Sequence, residues 1–541
     1  MRFAILIRRF VVPVAVLALL TGCGSTRDSS SSATSASPTS PAPSSTSDVP
    51  PPLVAAMPLP DDAVENAVAK IDGLADDVMR KSGLPGMAVA VVHGGKTVYA
   101  KGFGVKDNRR PADDPANRVD PDTVFQLASV SKSLTATVVA HQVGQRALSW
   151  DTPITEKLPR FALADPAVTR MVTVGDMLAH RSGLPDHAGD LLEELGYDRP
   201  YILDKLRDYP LDPFRTSYAY TNFGFTTGAE AAAAGAGKSW EDLSQEVLYG
   251  PLGMTSTSSR FDAYESRPNR AIGHIHLGDR YAPDYVRDAQ AQSPAGGASS
   301  SVDDMTHWMA MVLGNGSYQG KQIVDPAALL PAVTPQMVTN RGTEPAMRSG
   351  FYGYGFDVST TSTGRQQFSH SGAFELGAAT NVLFLPAADV AIVALTNATP
   401  SGAPETLTAE FADLVQYGKV RDDWWSAYHD AFLQMETPTG SLAGKQPPAT
   451  PAPPAPLSSY VGDYANPLYG PARITEVDGG LQLALGPTFT VPLKHWDGNV
   501  FSVSFVAENS NPGTVTSATF DGDTLTLEYW NEDGLGVFTR A

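Results

Sequence analysis

Two pairs of apolar segments at opposite ends of the central region most constrain the fold of this chain. Residues 87–92 and 97–103 flank Gly94-Gly95, and residues 380–385 and 390–395 form a second pair of the same kind. Each pair predicts a β-hairpin, and glycine suits the first turn because it adopts positive φ without a steric penalty. The simplest arrangement joins both hairpins in one antiparallel sheet.

Apolar residues at helical spacing precede the first hairpin and follow the second. They predict two terminal helices, one with Val64, Val68, Ile71, Leu74 and Val78 and the other with Leu407, Phe411, Leu414 and Val415. Asp62 and Glu65 have the pattern of a capping box for the first helix. The predicted fold class is α/β (α+β): an antiparallel sheet flanked by helices, with a helical region inserted between its two ends.

A Pro-rich stretch at about residues 436–457 separates this region from a different kind of sequence. Residues 458–541 contain short alternating segments, such as 481–485 and 524–527, that are broken by Asp-Gly turns. This pattern predicts a small all-β domain. The predicted organisation is a main domain at 60–420, a connecting segment with a Pro-rich linker at 421–457, and the small β domain at 458–541.

The N-terminus has the composition of a secretory signal. Arg2, Arg8 and Arg9 form a positively charged region before an apolar run at residues 10–20, which is short for a membrane span. The run ends in Leu20-Thr21-Gly22-Cys23, which resembles the bacterial lipobox, whose cysteine receives a diacylglyceryl group. We predict a signal peptide at 1–22, lipidation at Cys23 and a Ser/Pro/Thr-rich tether at 23–55. A buried or stray cysteine is the alternative interpretation.

Charge and cysteine content exclude several classes of function. The chain has 39 Lys and Arg against 58 Asp and Glu, and removal of residues 1–22 leaves 36 against 58, a net charge of −22. Nucleic acid is therefore not expected as a partner, and membrane attachment would depend on lipid. Because Cys23 is the only cysteine, no disulfide framework or thiolate zinc site is expected, and no cofactor is predicted. The predicted location is extracytoplasmic and lipid-anchored to the membrane of the cell envelope.

Ser129 and Lys132 are the first pair of residues that could perform chemistry. They precede the apolar run 134–140, so a helix is expected to begin near the serine and to place the lysine one turn later on the same face. A lysine can accept the serine proton only when it is neutral, which burial favours by lowering its pKa. No other lysine of the chain has a serine three positions before it.

Two further motifs follow this pair in order: Tyr220-Thr221-Asn222 and His370-Ser371-Gly372. With them the chain resembles the β-lactamase-related serine hydrolases, which include class C β-lactamases, D-alanyl-D-alanine carboxypeptidases, D-aminopeptidases and esterases. The resemblance covers about residues 60–420 and includes the stretches 178–185 and 294–297. It implies the serine β-lactamase and penicillin-binding-protein fold.

The resemblance also implies the catalytic roles. Ser129 would be the nucleophile, Lys132 the base that receives its proton, and Tyr220 a proton shuttle, as phenol or phenolate, between nucleophile and leaving group. The alternative for these three residues is an ordinary helix start and a core phenol. No metal is predicted.

Four further residues would bind substrate. Asn222 would hydrogen-bond Lys132 and the substrate, and the backbone N–H groups of Ser129 and Ala373 would form the oxyanion hole. His370 and Gly372 would lie on the edge strand of the sheet, with Gly372 leaving room for substrate to lie flat. Asn222 and His370 could instead be a helix cap and a strand-end histidine.

The predicted function is acyl-enzyme hydrolysis of an ester, amide, D-amino-acid peptide or β-lactam. Penicillin-recognising members of the family commonly have lysine at the position of His370, and a largely neutral histidine puts efficient β-lactam hydrolysis in doubt. A penicillin-binding or non-turnover binding lipoprotein is the alternative. The expected partners are a small-molecule or peptide substrate and the membrane, and the small β domain could support a homo-oligomer.

Overall fold

The computed structural model describes residues 50–541, so the predicted signal peptide, Cys23 and the tether up to residue 49 lie outside the described residues. The described part of the chain folds into a sheet-and-helix domain and a β-barrel. None of the helices within residues 50–541 is long and apolar enough to span a membrane.

Eight antiparallel strands form the central sheet. In chain order they are β1 (Gly86–His93), β2 (Lys96–Gly104), β3 (Met337–Asn340), β4 (Gly350–Tyr352), β5 (Asp357–Thr360), β6 (Gln366–Phe374), β7 (Ala378–Leu385) and β8 (Val390–Thr396). Their order in the sheet is β2-β1-β8-β7-β6-β5-β4-β3. Both predicted hairpins are present, and β1 pairs with β8 from Met87 opposite Thr396 to His93 opposite Val390. The single sheet built from both ends of the domain is confirmed.

Helices cover both faces of this sheet. The longer ones are α1 (Ile71–Ser82), α2 (Ser131–Gly144), α3 (Asn222–Ala236), α4 (Val302–Leu313), α5 (Ala403–Tyr417) and α6 (Trp424–Met435). The short ones are Ala63–Val68, Ile154–Lys157, Pro166–Met171, Val174–Leu178, Asp190–Glu194, Arg199–Lys205, Trp240–Ser244, Gly250–Leu252, Phe261–Glu265, Ser293–Gly296 and Pro326–Leu329. Alternation along β1 directs Val89 and Val91 toward the terminal helices α1 and α5, and Ala88 and Ala90 toward the inserted helical region.

The N-terminal helix differs from its prediction in two respects. The apolar pattern from Val64 to Val78 is divided between the short helix Ala63–Val68 and α1. Asp62 has a left-handed backbone, with φ of 50°, and its side chain makes no capping hydrogen bond. The predicted capping box is therefore wrong, because the N-cap carboxylate can reach the first-turn N–H groups only from an extended backbone.

The C-terminal domain is a closed antiparallel barrel. Its strands are β9 (Gly462–Asn466), β10 (Gly470–Val477), β11 (Gly480–Leu485), β12 (Phe489–Asp497), β13 (Val500–Val503), β14 (Thr516–Asp521), β15 (Thr524–Leu527) and β16 (Val537–Arg540). Inward-facing leucines and the aromatic side chains Tyr464, Phe501, Phe520 and Phe538 are buried inside. Eight strands enclose a space that such side chains fill, so the confirmed small all-β domain has a packed interior.

The barrel packs against the large domain close to the predicted site. Glu194, at the end of the short helix Asp190–Glu194, accepts the N–H of Asn509 through Oε1 at 2.6 Å. Glu508 accepts the N–H of Glu375, in the turn that follows β6, at 3.1 Å. The barrel therefore supports two of the segments that surround the predicted nucleophile.

Candidate active site

Ser129 lies in a tight turn at the start of α2. A 3₁₀ turn at Ala128–Val130 leads directly into the helix, as the sequence predicts. Ala128 has a φ of 45°, in the left-handed region that is unfavourable for residues with a Cβ. Hydrogen bonds on its N-terminal side hold this conformation: Leu127 donates to Ala298 at 2.9 Å, and Thr380 Oγ1 donates to the Leu127 carbonyl at 2.7 Å. The surrounding structure thus fixes the position of the serine.

Lys132 is one turn further along α2 and is fully buried. Its Nζ donates to Ser129 Oγ at 3.0 Å, to Asn222 Oδ1 at 2.7 Å and to the Ala295 carbonyl at 2.9 Å. These three acceptors match the three hydrogens of an ammonium group. Burial removes water from the charge and lowers the pKa of Lys132 to about 7, against an opposing effect of the Asp190 carboxylate. A large fraction of Lys132 is therefore neutral at pH 7.

Tyr220 lies over the lysine and beside a second aromatic ring. Lys132 Nζ is 4.5 Å from the centroid of the Tyr220 ring. The ring centroids of Tyr220 and His180 are 4.4 Å apart. Nδ1 of His180 accepts the N–H of Thr221 at 3.1 Å, which holds the chain beside Tyr220. Burial raises the pKa of Tyr220 well above 10, although its hydrogen bond with Ser129 opposes the shift. Tyr220 is therefore a phenol at neutral pH, and Lys132 is the group able to take a proton.

Asn222 contacts Lys132 on one side and Asp190 on the other, and Asp190 in turn contacts His187; the sequence analysis missed both of these residues. Its Nδ2 donates to Asp190 Oδ2 at 2.8 Å, and Nδ1 of His187 donates to the same oxygen at 2.7 Å. The backbone N–H of His187 also donates to the Tyr220 carbonyl at 2.8 Å. His187 and Asp190 follow the 178–185 motif directly, but their spacing alone does not distinguish them from ordinary loop residues.

His370 occupies a strand that is interior in the sheet rather than at its edge. β6 pairs with β5 only from Gln366 to Ser369, whereas its pairing with β7 extends to Phe374. The prediction that this strand lies at the edge of the sheet is wrong for β6 as a whole, because the strands β5, β4 and β3 lie beyond it. Residues 370–374 nevertheless extend past the end of β5 and pair on one side only, and this is the part that lies beside Ser129.

The ring of His370 is buried and both its nitrogens are engaged. The Ser371 carbonyl lies 2.6 Å from Nδ1, so Nδ1 carries the hydrogen and Nε2 accepts from Tyr352 Oη at 2.8 Å. Burial and the nearby charge of Lys132 lower the pKa of His370 to about 3. The side chain is therefore neutral at pH 7 and supplies no fixed cation.

Gly372 brings β6 against the turn that contains the nucleophile. A Cβ at this position would lie 2.3 Å from the Leu127 carbonyl oxygen, 2.3 Å from Thr380 Oγ1 and 3.0 Å from the nitrogen of Ser129. The missing side chain therefore makes room for the Leu127 backbone and the Thr380 hydroxyl, and the flat contact with substrate stays a prediction. Ala373, whose N–H is the second predicted oxyanion donor, is the next residue, and this role stays a prediction.

The 294–297 motif supplies the third acceptor of Lys132. Thr135 of α2 donates to the Pro294 carbonyl at 2.6 Å, which fixes the short helix Ser293–Gly296 against α2. A Cβ at Gly296 would lie 3.1 Å from Gln292 Oε1 and 3.3 Å from the Phe374 ring. The glycine thus allows the close packing that directs the Ala295 carbonyl toward Lys132. Within residues 50–541 no group of three His, Cys, Asp or Glu side chains is arranged to hold a metal ion.

The sheet, the inserted helices and the pair formed by half-buried Ser129 and fully buried Lys132 define the serine β-lactamase and penicillin-binding-protein fold. The family model described as "Beta-lactamase" matches residues 71–417, and the model described as "Domain of unknown function (DUF3471)" matches residues 446–529. The first match covers more than half of the chain, so the chain belongs to the β-lactamase family.

Individual proteins show the same relationship. The chain is similar to the unguisins hydrolase ungD' of Aspergillus campestris, with 28% identity over 71% of this chain and 73% of the relative. It is similar to esterase EstB of Burkholderia gladioli, with 35% identity over 30% of this chain and 40% of the esterase. The octameric penicillin-binding protein homologue from Pyrococcus abyssi superposes with a TM-score of 0.56 at 19% identity, covering 85% of this chain and 98% of that structure. This last likeness supports the fold.

Proposed function

We propose that this protein is a serine hydrolase that forms an acyl-enzyme at Ser129 and acts on an ester, amide, D-amino-acid peptide or β-lactam in the cell envelope. The observation that carries the proposal is the 3.0 Å contact between Ser129 Oγ and Nζ of the fully buried Lys132. Because the same burial lowers the pKa of Lys132 to about 7, the base is available at neutral pH. Similarity to proteins named as an esterase and as an unguisins hydrolase supports hydrolytic turnover.

Acylation begins with the transfer of the Ser129 hydroxyl proton to neutral Lys132. Oγ attacks the carbonyl carbon of the substrate, and the carbonyl electron pair moves to oxygen, where the N–H groups of Ser129 and Ala373 stabilise the anion. When the carbonyl re-forms, the bond to the leaving group breaks. The leaving group takes the proton from Lys132 through the Tyr220 phenol, which gives one proton and receives one.

Deacylation repeats these steps with water. A water molecule attacks the acyl carbon, its proton passes to Lys132, and collapse of the second tetrahedral anion breaks the bond to Ser129 Oγ. The serine oxygen recovers its proton, and the product acid is released. Asn222 holds Lys132 through both half-reactions because its Oδ1 is a 2.7 Å acceptor for Nζ.

The state of His370 bears on the choice of substrate. A neutral ring with both nitrogens bonded cannot form an ion pair with a substrate carboxylate. This supports esters, amides or peptides that lack a carboxylate at this position over penicillin-like substrates.

The proposal is tested with the purified protein, an activated short-chain ester and, separately, a fluorescent penicillin. Turnover and intact mass are followed for the wild type, for Ser129→Ala and for the exposed-serine control Ser362→Ala. We expect turnover of the ester by the wild type and the control and its loss in Ser129→Ala. A stable penicillin adduct without turnover would favour the penicillin-binding alternative. Retained turnover in Ser129→Ala would overturn the assignment of the nucleophile.

The anchor and the assembly are separate proposals. Cys23 is proposed to carry a diacylglyceryl group that holds the protein at the membrane, and Cys23→Ala is then expected to release it from the membrane fraction. Homo-oligomerisation through the barrel predicts a mass above that of one chain in light scattering. A single-chain mass would contradict it.

A further inference from the structure

The orientation of the Asn222 amide is set from the side opposite Lys132. An amide presents one accepting oxygen and one donating NH₂, and a carboxylate only accepts. Because Nδ2 is directed to Asp190 Oδ2 at 2.8 Å, Oδ1 must face Lys132 Nζ, which it contacts at 2.7 Å. Without an acceptor at Asp190, the amide could rotate and present its NH₂ to the lysine.

Asp190 is itself held on several sides. His187 Nδ1 donates to the same Oδ2 atom at 2.7 Å, and the N–H of Asp190 donates to the His187 carbonyl at 3.1 Å. The far end of the short helix is bonded to the barrel, where Asn509 Nδ2 and Tyr529 Oη donate to Glu194 at 2.7 and 2.9 Å. The Asp190 carboxylate is mostly buried, with a side-chain exposure of 7%. The helix therefore presents this carboxylate in one fixed position.

We propose that Asp190 and His187 form a positioning pair that fixes the amide of Asn222 and sets the charge that Lys132 experiences. This inference rests on the proposed function, since it assigns the pair to the same reaction. Neither residue contacts the reacting atoms, so both act through Asn222 and Lys132.

The two members of the pair have opposite electrostatic effects on the base. The hydrogen bond and charge of Asp190 overcome burial and raise the pKa of His187 to about 9, so His187 is a cation at pH 7. The Asp190 charge stabilises the protonated form of Lys132, and the His187 charge destabilises it. Asp190 is separated from Lys132 by one side chain and His187 by two. The effect of Asp190 is therefore the larger.

Other titratable groups surround the pair, among them Tyr209, whose pKa burial raises and whose hydroxyl accepts the N–H of Gly189 beside Asp190. His180 and His370, which lie near Lys132, are neutral because burial lowers the pKa of each, and Tyr220 is a phenol. Asp186 lies near His187, and Glu193 and Arg287, which form an ion pair at 2.6 Å, lie near Asp190. These groups are unchanged in the experiment below.

The test is the pH dependence of kcat/KM for an activated ester, measured with the whole protein. In Asp190→Asn the hydrogen bond to Asn222 can persist, but the negative charge at residue 190 is removed and His187, without its carboxylate partner, is no longer held as a cation. The acid limb, which is the fall of kcat/KM at low pH, is therefore expected at lower pH than in the wild type. In His187→Gln the negative charge remains unbalanced, so the acid limb is expected at higher pH. Asp190→Ala, which frees the amide, is expected to lower the plateau by about 100-fold. Asp204→Asn removes an exposed acid from the next helix, Arg199–Lys205, and is expected to leave the acid limb unmoved.

Opposite shifts in Asp190→Asn and His187→Gln would support the pair, because mere structural damage lowers the plateau without moving the limb in two directions. If the wild type turns over ester through Ser129 but the acid limbs of both variants coincide with that of the wild type, this inference is overturned and the proposed function stands. If the wild type showed neither turnover nor a Ser129 adduct, the proposed function itself would fail. The two failures are thus distinguishable.

Discussion

Replacement of Gly372 by alanine tests whether the close approach of β6 to the nucleophile turn is needed for catalysis. The added Cβ would lie 2.3 Å from both the Leu127 carbonyl oxygen and Thr380 Oγ1, whereas an ordinary contact begins near 3.4 Å. Relief of the Leu127 contact requires β6 and the turn to separate by about 1 Å, and the Thr380 hydroxyl, on the paired strand β7, must move as well. Ser129 lies in the turn and Ala373 lies on β6. The separation therefore changes the distance between the nucleophile and the predicted oxyanion donor of Ala373.

A displacement of this size is expected to lower kcat by about 100-fold and the free energy of unfolding by about 1–3 kcal/mol. The assay combines the rate of Ser129 acylation, followed by intact mass, with ester turnover and denaturant unfolding.

Gly480→Ala is the matched control, because this glycine also lies in a strand but a Cβ there would meet nothing closer than the Val477 oxygen at 3.7 Å. It is expected to acylate at the wild-type rate. An acylation rate for Gly372→Ala equal to that of the control would refute the reasoning, since the junction would then tolerate the extra atom without moving Ser129.

Three further outcomes are expected. First, kcat/KM should rise as the pH increases through about 7, where Lys132 loses its proton, and a rate that does not change between about pH 5 and 9 would contradict the role of Lys132 as base. Lys132→Arg should be inactive, because a guanidinium stays charged. Second, Tyr220→Phe should lower turnover by about 10²–10⁴-fold without loss of the fold by circular dichroism, and near-normal turnover would remove the phenol from the proton path. Third, Arg287→Met should lower the free energy of unfolding by about 3–5 kcal/mol at pH 7, because Arg287 pairs with Glu193 at 2.6 Å and also faces Glu508. An unchanged denaturant midpoint would show that these carboxyl groups need no cation.

The junction between the barrel and the large domain should also respond to pH. Burial raises the pKa of Glu375 and of Glu508 to about 8; the charge of Glu508 adds to the shift of Glu375, and Arg287 opposes the shift of Glu508. When folding raises the pKa of a carboxyl group, the group contributes its full stabilisation at a pH below its ordinary pKa of 4.5. This contribution is lost as the pH rises from 4.5 to the folded pKa of about 8. The denaturant midpoint should therefore fall between about pH 5 and 8. In Glu508→Gln the fall should be smaller, and an equal fall in wild type and variant would contradict the assignment.

The sequence by itself determined the local elements and the ordered motifs. Hairpins, terminal helices and the small β domain follow from apolar periodicity and turn residues, which report the geometry of neighbouring residues. The place of Ser129 and Lys132 one helical turn apart follows in the same way, since both lie on one short segment. The motifs at Tyr220, Asn222 and His370 could be recognised because their residue types and order resemble those of a known family.

The tertiary structure alone decided which distant groups meet. The role of Asp190 and His187 depends on a loop that packs against α3, and the role of Gly372 on a carbonyl from the turn at Leu127, and no local periodicity encodes either contact. The pKa of Lys132 is likewise a property of burial, which depends on how α2, α3 and the 293–297 segment close around one atom. Local sequence specifies backbone geometry, whereas desolvation and hydrogen-bond partners are set by segments that meet only in the folded protein.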